Sequence, residues 1–304
     1  MAHVVERLAS WAADSRSRAL PPEVIHHAKR AVIDWHAAYY PGSVVAPATL
    51  LEKAFRGEAG PRTRALIMGS AAHTEELDDI FRDGIYHPGA PTISAALAVA
   101  PSLELSGMDF LRAVVVGYEI STRIGAAMGR AHYKYWHNTG TIGVFGACAA
   151  VSEALRLDEK SFSHALATVT TFAAALQQAF RMDSMSKPLH AGRAAEAGVT
   201  AALAAREGVT GSLDVIEGEA GFGRAMGDDP DWGAAFSTLG RDWHITRMTF
   251  KNHACCGHTF AAIDGALALK ERMKIAAGDI ARVHVGTYRA GVEVAHYESP
   301  RTPA

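Results

Sequence analysis

The 304-residue chain has little cysteine, no charge bias and no long apolar run, and each shortage excludes something. There are three cysteines, Cys148, Cys255 and Cys256. Two of them are adjacent and poorly placed to bond to each other, so no disulfide framework is expected. That usage fits a reducing cytoplasm. It also falls short of the three or four spaced thiolates that an iron–sulfur cluster usually takes. Thirty basic residues against 32 acidic ones give a net charge of −2. So even a balance argues against a nucleic-acid or membrane-surface partner. No apolar stretch reaches membrane-spanning length, and Met1 to Arg18 carries charges where a signal peptide would have its apolar centre. Up to about Trp232 strict apolar–polar alternation is missing as well, which removes the usual signature of a half-buried strand. What is there is 49% hydrophobic and 20% charged. This is a globular composition, long enough for a large core and more than one domain.

The first part reads as helices. Val4, Leu8 and Trp11 share a face, and Pro21-Pro22-Glu23 opens a second helix carrying Val24, Ala28, Ala31, Val32 and Trp35. Pro41-Gly42-Ser43 is expected to break it, with a further helix from near Ala48. Ser106-Gly107-Met108-Asp109 caps a long helix whose stripe of Leu111, Val114, Val115, Tyr118 and Ile124 is core. Arg123 and Arg130 on that helix read as solvated arginines. Asp158 to Phe180 reads as another helix.

One local pattern occurs three times: a basic side chain, a turn, then a helix of small residues. The first copy is His87-Pro88-Gly89-Ala90-Pro91, leading into Thr92 to Ala100. The second is His137-Asn138-Thr139-Gly140-Thr141, leading into a helix with Gly143, Gly146, Ala147 and Cys148. The third is Ser186-Lys187-Pro188-Leu189-His190-Ala191-Gly192-Arg193, with Gly208 as the stop. A proline fits the first position of a helix, which places Lys187 just outside it. There the helix dipole opposes a cation, but an ammonium and unpaired N–H groups can meet an anion together. A histidine at such a terminus should have a lowered pKa and stay neutral, as a general base must. Taken singly, each copy also reads as an ordinary turn residue.

From Trp243 the pattern changes. His244, Thr246, Met248 and Phe250 alternate with Ile245, Arg247, Thr249 and Lys251. A helix is expected over Thr259 to Arg272, and alternation returns from Ile280 to Arg289. The fold class is therefore mainly α: a large all-helical domain over 1–240, then the start of a smaller, incomplete α+β domain over 241–304. Glu298 to Ala304 reads as a polar, irregular tail.

The stretches His73-Thr-Glu-Glu-Leu-Asp-Asp79, His87 to Pro91, His137 to Gly143, Ser186 to Ala195 and Phe250-Lys-Asn-His-Ala-Cys-Cys-Gly-His258 together resemble the MmgE/PrpD family, which includes 2-methylcitrate dehydratase, cis-aconitate decarboxylase and iminodisuccinate epimerase. The stretches keep the family's order over nearly the whole chain. The resemblance implies a helical domain with a smaller α+β domain, a homodimer, a small polycarboxylate as substrate, and no metal or other cofactor. It implicates His87, His137 and Lys187, with His258 or its neighbours as a further candidate. The family's Asp-x-Asp-Asp-Thr pattern stands here as Glu76-Leu77-Asp78-Asp79-Ile80, which lengthens one carboxylate arm and removes a hydroxyl. The family's final segment, with a further site tyrosine, is not in the sequence.

The reactions of that family share one hard step, making or quenching a carbanion-like centre beside a carboxylate. Lys187 is expected to clamp a substrate carboxylate. His137 or His87 would remove a proton and the other deliver one, while Asp78 or Glu76 orients an imidazole. His190 and Arg193, one turn further on, would line the wall with His258. Dehydration of a 2-methylcitrate-like hydroxy acid is the expected reaction. Decarboxylation or epimerisation of a related acid is the alternative, as is a shortened, non-catalytic binding or assembly module. A zinc site at His253, Cys255, Cys256 and His258 matches no standard ligand spacing.

Overall fold

The computed structural model describes residues 2–182 and 184–295. The expected tail from Glu298 lies outside them. Fourteen α-helices run through the described residues: α1 (Val4–Ser15), α2 (Pro22–Ser43), α3 (Ala48–Ala54), α4 (Pro61–Ala72), α5 (Gly89–Val99), α6 (Gly107–Tyr133), α7 (Asn138–Thr141), α8 (Gly143–Ala154), α9 (Glu159–Thr170), α10 (Ser186–Arg206), α11 (Phe222–Met226), α12 (Trp232–Phe236), α13 (Phe260–Met273) and α14 (Arg289–Ala295). None is long and apolar enough to cross a membrane.

Helices α5, α8 and α10 are the centre. Nearly every residue of α5 and every residue of α8 is buried, because alanine, glycine and serine let backbones approach from all sides. Gly192 of α10 shows the constraint. A Cβ there would lie 2.2 Å from both the Leu66 carbonyl oxygen and the Ser70 hydroxyl of α4. That contact fixes α10 against the end of α4, and with it the placement of Lys187 and His190 beside His73.

Several local expectations are corrected. Helix α2 runs through Pro41 to Ser43. Its last turn holds because Gly42 lies on the Ala71 backbone of α4, where a Cβ would meet the carbonyl at 2.0 Å. Lys187 is inside α10, in the first turn, and Pro188 follows as the third helical residue. A proline is tolerated there because the first N–H groups have no intrahelical acceptor in any case. The helix expected to reach Phe180 stops at Thr170, and Gln177–Phe180 forms a separate 3₁₀ turn. Arg123 is buried, not solvated. It pairs with Glu119 one turn earlier at 3.3 Å and donates to the Thr238 hydroxyl at 3.0 Å. Gly208 does end the third small-residue helix, with φ +97°.

The sheet expected after residue 240 is absent among the described residues. His244–Arg247 is a 3₁₀ turn. Beyond it Thr249 alone pairs, with Ile80, by N–H to carbonyl bonds of 2.8 and 2.9 Å. Residues 282–288 form no strand, and Val283, Val285 and Tyr288 are exposed. Alternation marks a segment able to form a strand, but a strand needs a neighbour for its N–H and C=O groups. The helix between these segments, α13, forms where expected.

Candidate active site

The three basic residues of the repeated pattern converge with the acidic loop that follows α4. The loop begins at His73, whose N–H caps the helix on the Ser70 carbonyl at 3.2 Å. It ends at Ile80, held by the pairing with Thr249. That pairing also draws in the next residues after Thr249, including Lys251.

His73 and Asp78 are the buried base of the cluster. His73 Nδ1 lies 2.6 Å from Asp78 Oδ2, and both side chains are almost wholly enclosed. Burial alone would raise the Asp78 carboxyl, but His87, His73 and Lys251 around it hold it well below the usual carboxylate range. An ionised carboxylate only accepts, so the hydrogen sits on His73 Nδ1. Burial outweighs that carboxylate at the imidazole and pulls His73 down to about 4. His73 is therefore neutral, and its Nε2 is buried with no hydrogen-bond partner.

His87 stands just before Pro88 and α5. Its Nδ1 is 3.5 Å from Asp78 Oδ1, and its backbone N–H donates to the Thr139 hydroxyl at 3.3 Å. Its pKa is lowered as expected, but by burial first. His137 precedes α7 and donates its N–H to the Ala175 carbonyl at 3.0 Å. Its ring stacks on His73 with centroids 5.3 Å apart and meets Phe180 edge-on at 4.6 Å. Its Nδ1 is 3.0 Å from Nδ1 of His190. Burial, then the neighbouring imidazoles, hold His137 well below its ordinary value, and burial brings His190 to about 4. Two neutral rings meeting Nδ1 to Nδ1 must be opposite tautomers, one donating and one accepting.

Two lysines complete the site. Lys187 Nζ is ion-paired with Glu76 Oε1. Lys251 Nζ is 3.1 Å from Glu76 Oε2 and 3.8 Å from Asp78 Oδ1, with its side chain fully enclosed. Burial first, then the Lys251 charge, brings Lys187 down to about 8. Beneath this layer, Asp79 accepts from the Gly89 N–H at 2.9 Å and the Tyr118 hydroxyl at 2.7 Å. Burial first, then the Asp78 charge, raises Asp79 to about 6, and burial with the Asp79 and Asp78 charges raises nearby Asp34 to about 8.

Of the expected site residues, His137, Lys187, His87, Asp78, Glu76 and His190 meet in this cluster. Arg193 does not: it is exposed and pairs with Glu196 at 2.9 Å. It follows Gly192, the residue packed onto α4, and so faces outward. His258 contacts the Tyr288 hydroxyl instead of the cluster. The site also contains His73 and Lys251, neither singled out in the sequence, although both lie inside stretches already quoted. The zinc alternative separates into private pairs: His253 with Asp264 at 2.7 Å, Cys255 with Thr259 at 3.2 Å, and His258 with Tyr288. Among the described residues one group has metal-ligand geometry, His73, Asp78 and His87, with ligand atoms within 4.8 Å of one another. There the His73–Asp78 contact is already satisfied by a proton, and the Lys251 ammonium stands 3.8 Å from Asp78. Asp78 Oδ1 and His73 Nε2 in this group have no hydrogen-bond partner, and the nearby ammonium disfavours a cation between them.

A helical body thus carries a buried imidazole–carboxylate–lysine cluster, the equipment of an acid–base site. The chain belongs to the MmgE/PrpD family: residues 6–235 match the MmgE/PrpD N-terminal domain and residues 253–304 the MmgE/PrpD C-terminal domain. A cis-aconitate decarboxylase-like protein of Aspergillus oryzae is 30% identical over 298 residues, covering 86% of this chain and 60% of that protein. Cis-aconitate decarboxylase of Aspergillus terreus is 25% identical over 297 residues, covering 88% and 60%. The human cis-aconitate decarboxylase is 31% identical over 168 residues, covering 54% and 34%. The chain spans about 60% of the length of the first two.

Proposed function

We propose that the chain is an acid–base lyase acting on a small polycarboxylate without a metal, and that the reaction is decarboxylation of a cis-aconitate-like acid. The observation that carries this reading is the meeting of Lys187 and Lys251 on one carboxylate, beside four imidazoles in one cluster. Lysines so placed hold substrate carboxylates. Decarboxylation breaks one carbon–carbon bond and releases carbon dioxide. The electron pair left behind spreads into the adjoining unsaturated acid until a proton quenches it. One proton donor is enough, and Lys187, brought down to about 8, gives a proton up more readily than an ordinary lysine. The neutral imidazoles relay or orient that proton. Phe180, against His137 and beneath the Lys187 ammonium at 5.5 Å, gives the departing carbon dioxide an apolar wall.

Dehydration of a 2-methylcitrate-like acid, the reaction expected from the sequence, would use the same groups and need a second acid for the leaving hydroxyl. The named activity of the relatives supports decarboxylation in its place. The homodimer stays part of the proposal, supported by the exposed Ile33, Tyr40 and Val44 along α2 and beyond its end. So does the division into domains at 1–240 and 241–304. The test is direct turnover. Carbon dioxide release from cis-aconitate by the purified protein, lost in Lys187→Ala, supports the proposal. Equal release by both proteins removes Lys187 from it.

A further inference from the structure

The cluster has one open edge. His73, Asp78 and Lys251 are enclosed, whereas the side chains of Lys187 and Glu76 retain 29% and 26% exposure and His87 retains 17%. An anion arriving from solvent therefore meets Lys187 and Glu76 first. Glu76 does not sit there by default. Its backbone is left-handed, with φ +53°, a region that non-glycine residues rarely enter. Its two carboxylate oxygens are divided between the ammoniums, one on Lys187 and one on Lys251. This bridging of two lysines by one carboxylate is the arrangement that a substrate carboxylate would make.

The charges sharpen the point. Lys187 and Lys251 contribute two positive charges. Glu76 and Asp78 contribute two negative ones, and the imidazoles, held down by burial, are neutral. As it stands, the site has no net positive charge to offer a polyanion.

We infer that Glu76 is a specificity-determining placeholder, whose carboxylate occupies the position of a substrate carboxylate between Lys187 and Lys251 and must be displaced for a polycarboxylate to bind. This rests on the proposal that those lysines bind substrate carboxylates. Its consequence is a threshold on ligand charge. A ligand with one carboxylate cannot out-compete a tethered carboxylate for both lysines, because Glu76 has far less freedom to lose on pairing. A ligand with two or three carboxylates can, since its further carboxylates can accept from the imidazole N–H groups beside the lysines once Glu76 has swung out.

The test is binding without turnover, by calorimetry with propane-1,2,3-tricarboxylate and propionate as probes. Glu76→Gln keeps the shape and removes the charge. It is expected to bind the tricarboxylate about tenfold tighter or more, and to gain measurable affinity for propionate. Glu76→Asp keeps the charge on a shorter arm and is expected to stay near the wild type, which guards against a folding defect in the first variant. Lys187→Ala and Lys251→Ala should lose the tricarboxylate. If the lysine variants lose it and Glu76→Gln is no tighter than wild type, the placeholder role is wrong and the carboxylate-binding lysines stand. If the lysine variants bind it as the wild type does, the reading beneath it fails as well.

Discussion

Nδ1 of His73 lies 2.6 Å from Oδ2 of Asp78, with both side chains shut away from solvent. The contact fixes the tautomer of His73, and Asp78 reaches His87 through its other oxygen at 3.5 Å. That approach is not a hydrogen bond: His87 Nδ1 bonds to the Asp78 backbone carbonyl at 3.4 Å, so the carboxylate orients His73 and the backbone of the same residue holds His87. Asp78→Asn keeps the volume but can offer an N–H where an acceptor is needed. Turnover is expected to fall about 10²–10³-fold with a much smaller change in KM, as for loss of an acid–base group. A rise in KM alone, with kcat kept, would place Asp78 in binding.

The alkaline limb of the activity profile should report Lys187. Its ammonium is brought down to about 8 by burial and Lys251, so activity that needs the charged form falls as pH rises through that value. Glu76→Gln removes the neighbouring carboxylate that favours the ammonium, and is expected to move the limb lower still. An alkaline limb near that of an exposed lysine, unmoved in the variant, would contradict the assignment.

Stability should depend on pH through the buried histidines. His73 and His190 are held near 4 and His244 near 3, in each case mainly by burial, against an ordinary value of 6.5. Above pH 6.5 both folded and unfolded chains carry neutral rings, and this contribution is fully present. As pH falls from 6.5 towards 4, the unfolded chain takes up protons that the folded chain refuses, and stability is lost. Burial acts the opposite way on Asp34 and Asp79, raised to about 8 and about 6, so the check is a difference: the Tm gap between the wild type and His190→Gln should be constant from pH 7 upwards and shrink steadily below 6.5. A gap unchanged at pH 4.5 would contradict it.

Gly192 sets the approach of α10 to α4, so Gly192→Ala should cost about 1–3 kcal/mol by overpacking. It should also lower turnover more than Arg193→Ala, whose side chain is exposed beside Glu196. Chemical denaturation and kinetics on the pair check this. Equal behaviour would show that the helix contact does not position Lys187.

Extensive dialysis against EDTA should leave turnover unchanged, because the His73–Asp78 hydrogen bond and the Lys251 ammonium 3.8 Å from Asp78 make the His73–Asp78–His87 group a poor cation site. Loss of activity restored by one divalent ion would overturn the metal-free reading.

Much of this site was legible in the sequence because it is built from local punctuation. His87, His137 and Lys187 each stand at a helix start with small residues behind them, and glycine and proline mark such places within a few residues. Lys251 and His73 were not legible. Lys251 reaches the site through the distant Thr249–Ile80 pairing, and His73, although bonded to Asp78 five residues on, joins the imidazoles of His137 and His190 only through its stacking on His137 and the packing of α10 on α4. Arg123 failed for the same reason: its periodicity puts it on a helix flank, and the segment from Ala235 to Asp242 covers that flank. Alternation near Trp243 and Ile280 promised strands, but among the described residues no neighbouring strand meets those segments.

The most direct test of the central claim is proton NMR of the purified protein in D₂O with cis-aconitate, 2-methylcitrate, citrate and iminodisuccinate in turn. The account predicts loss of carbon dioxide from cis-aconitate, with one deuterium placed on carbon in the product. No reaction and no exchange on any of these acids, from protein whose melting behaviour shows it folded, would contradict it.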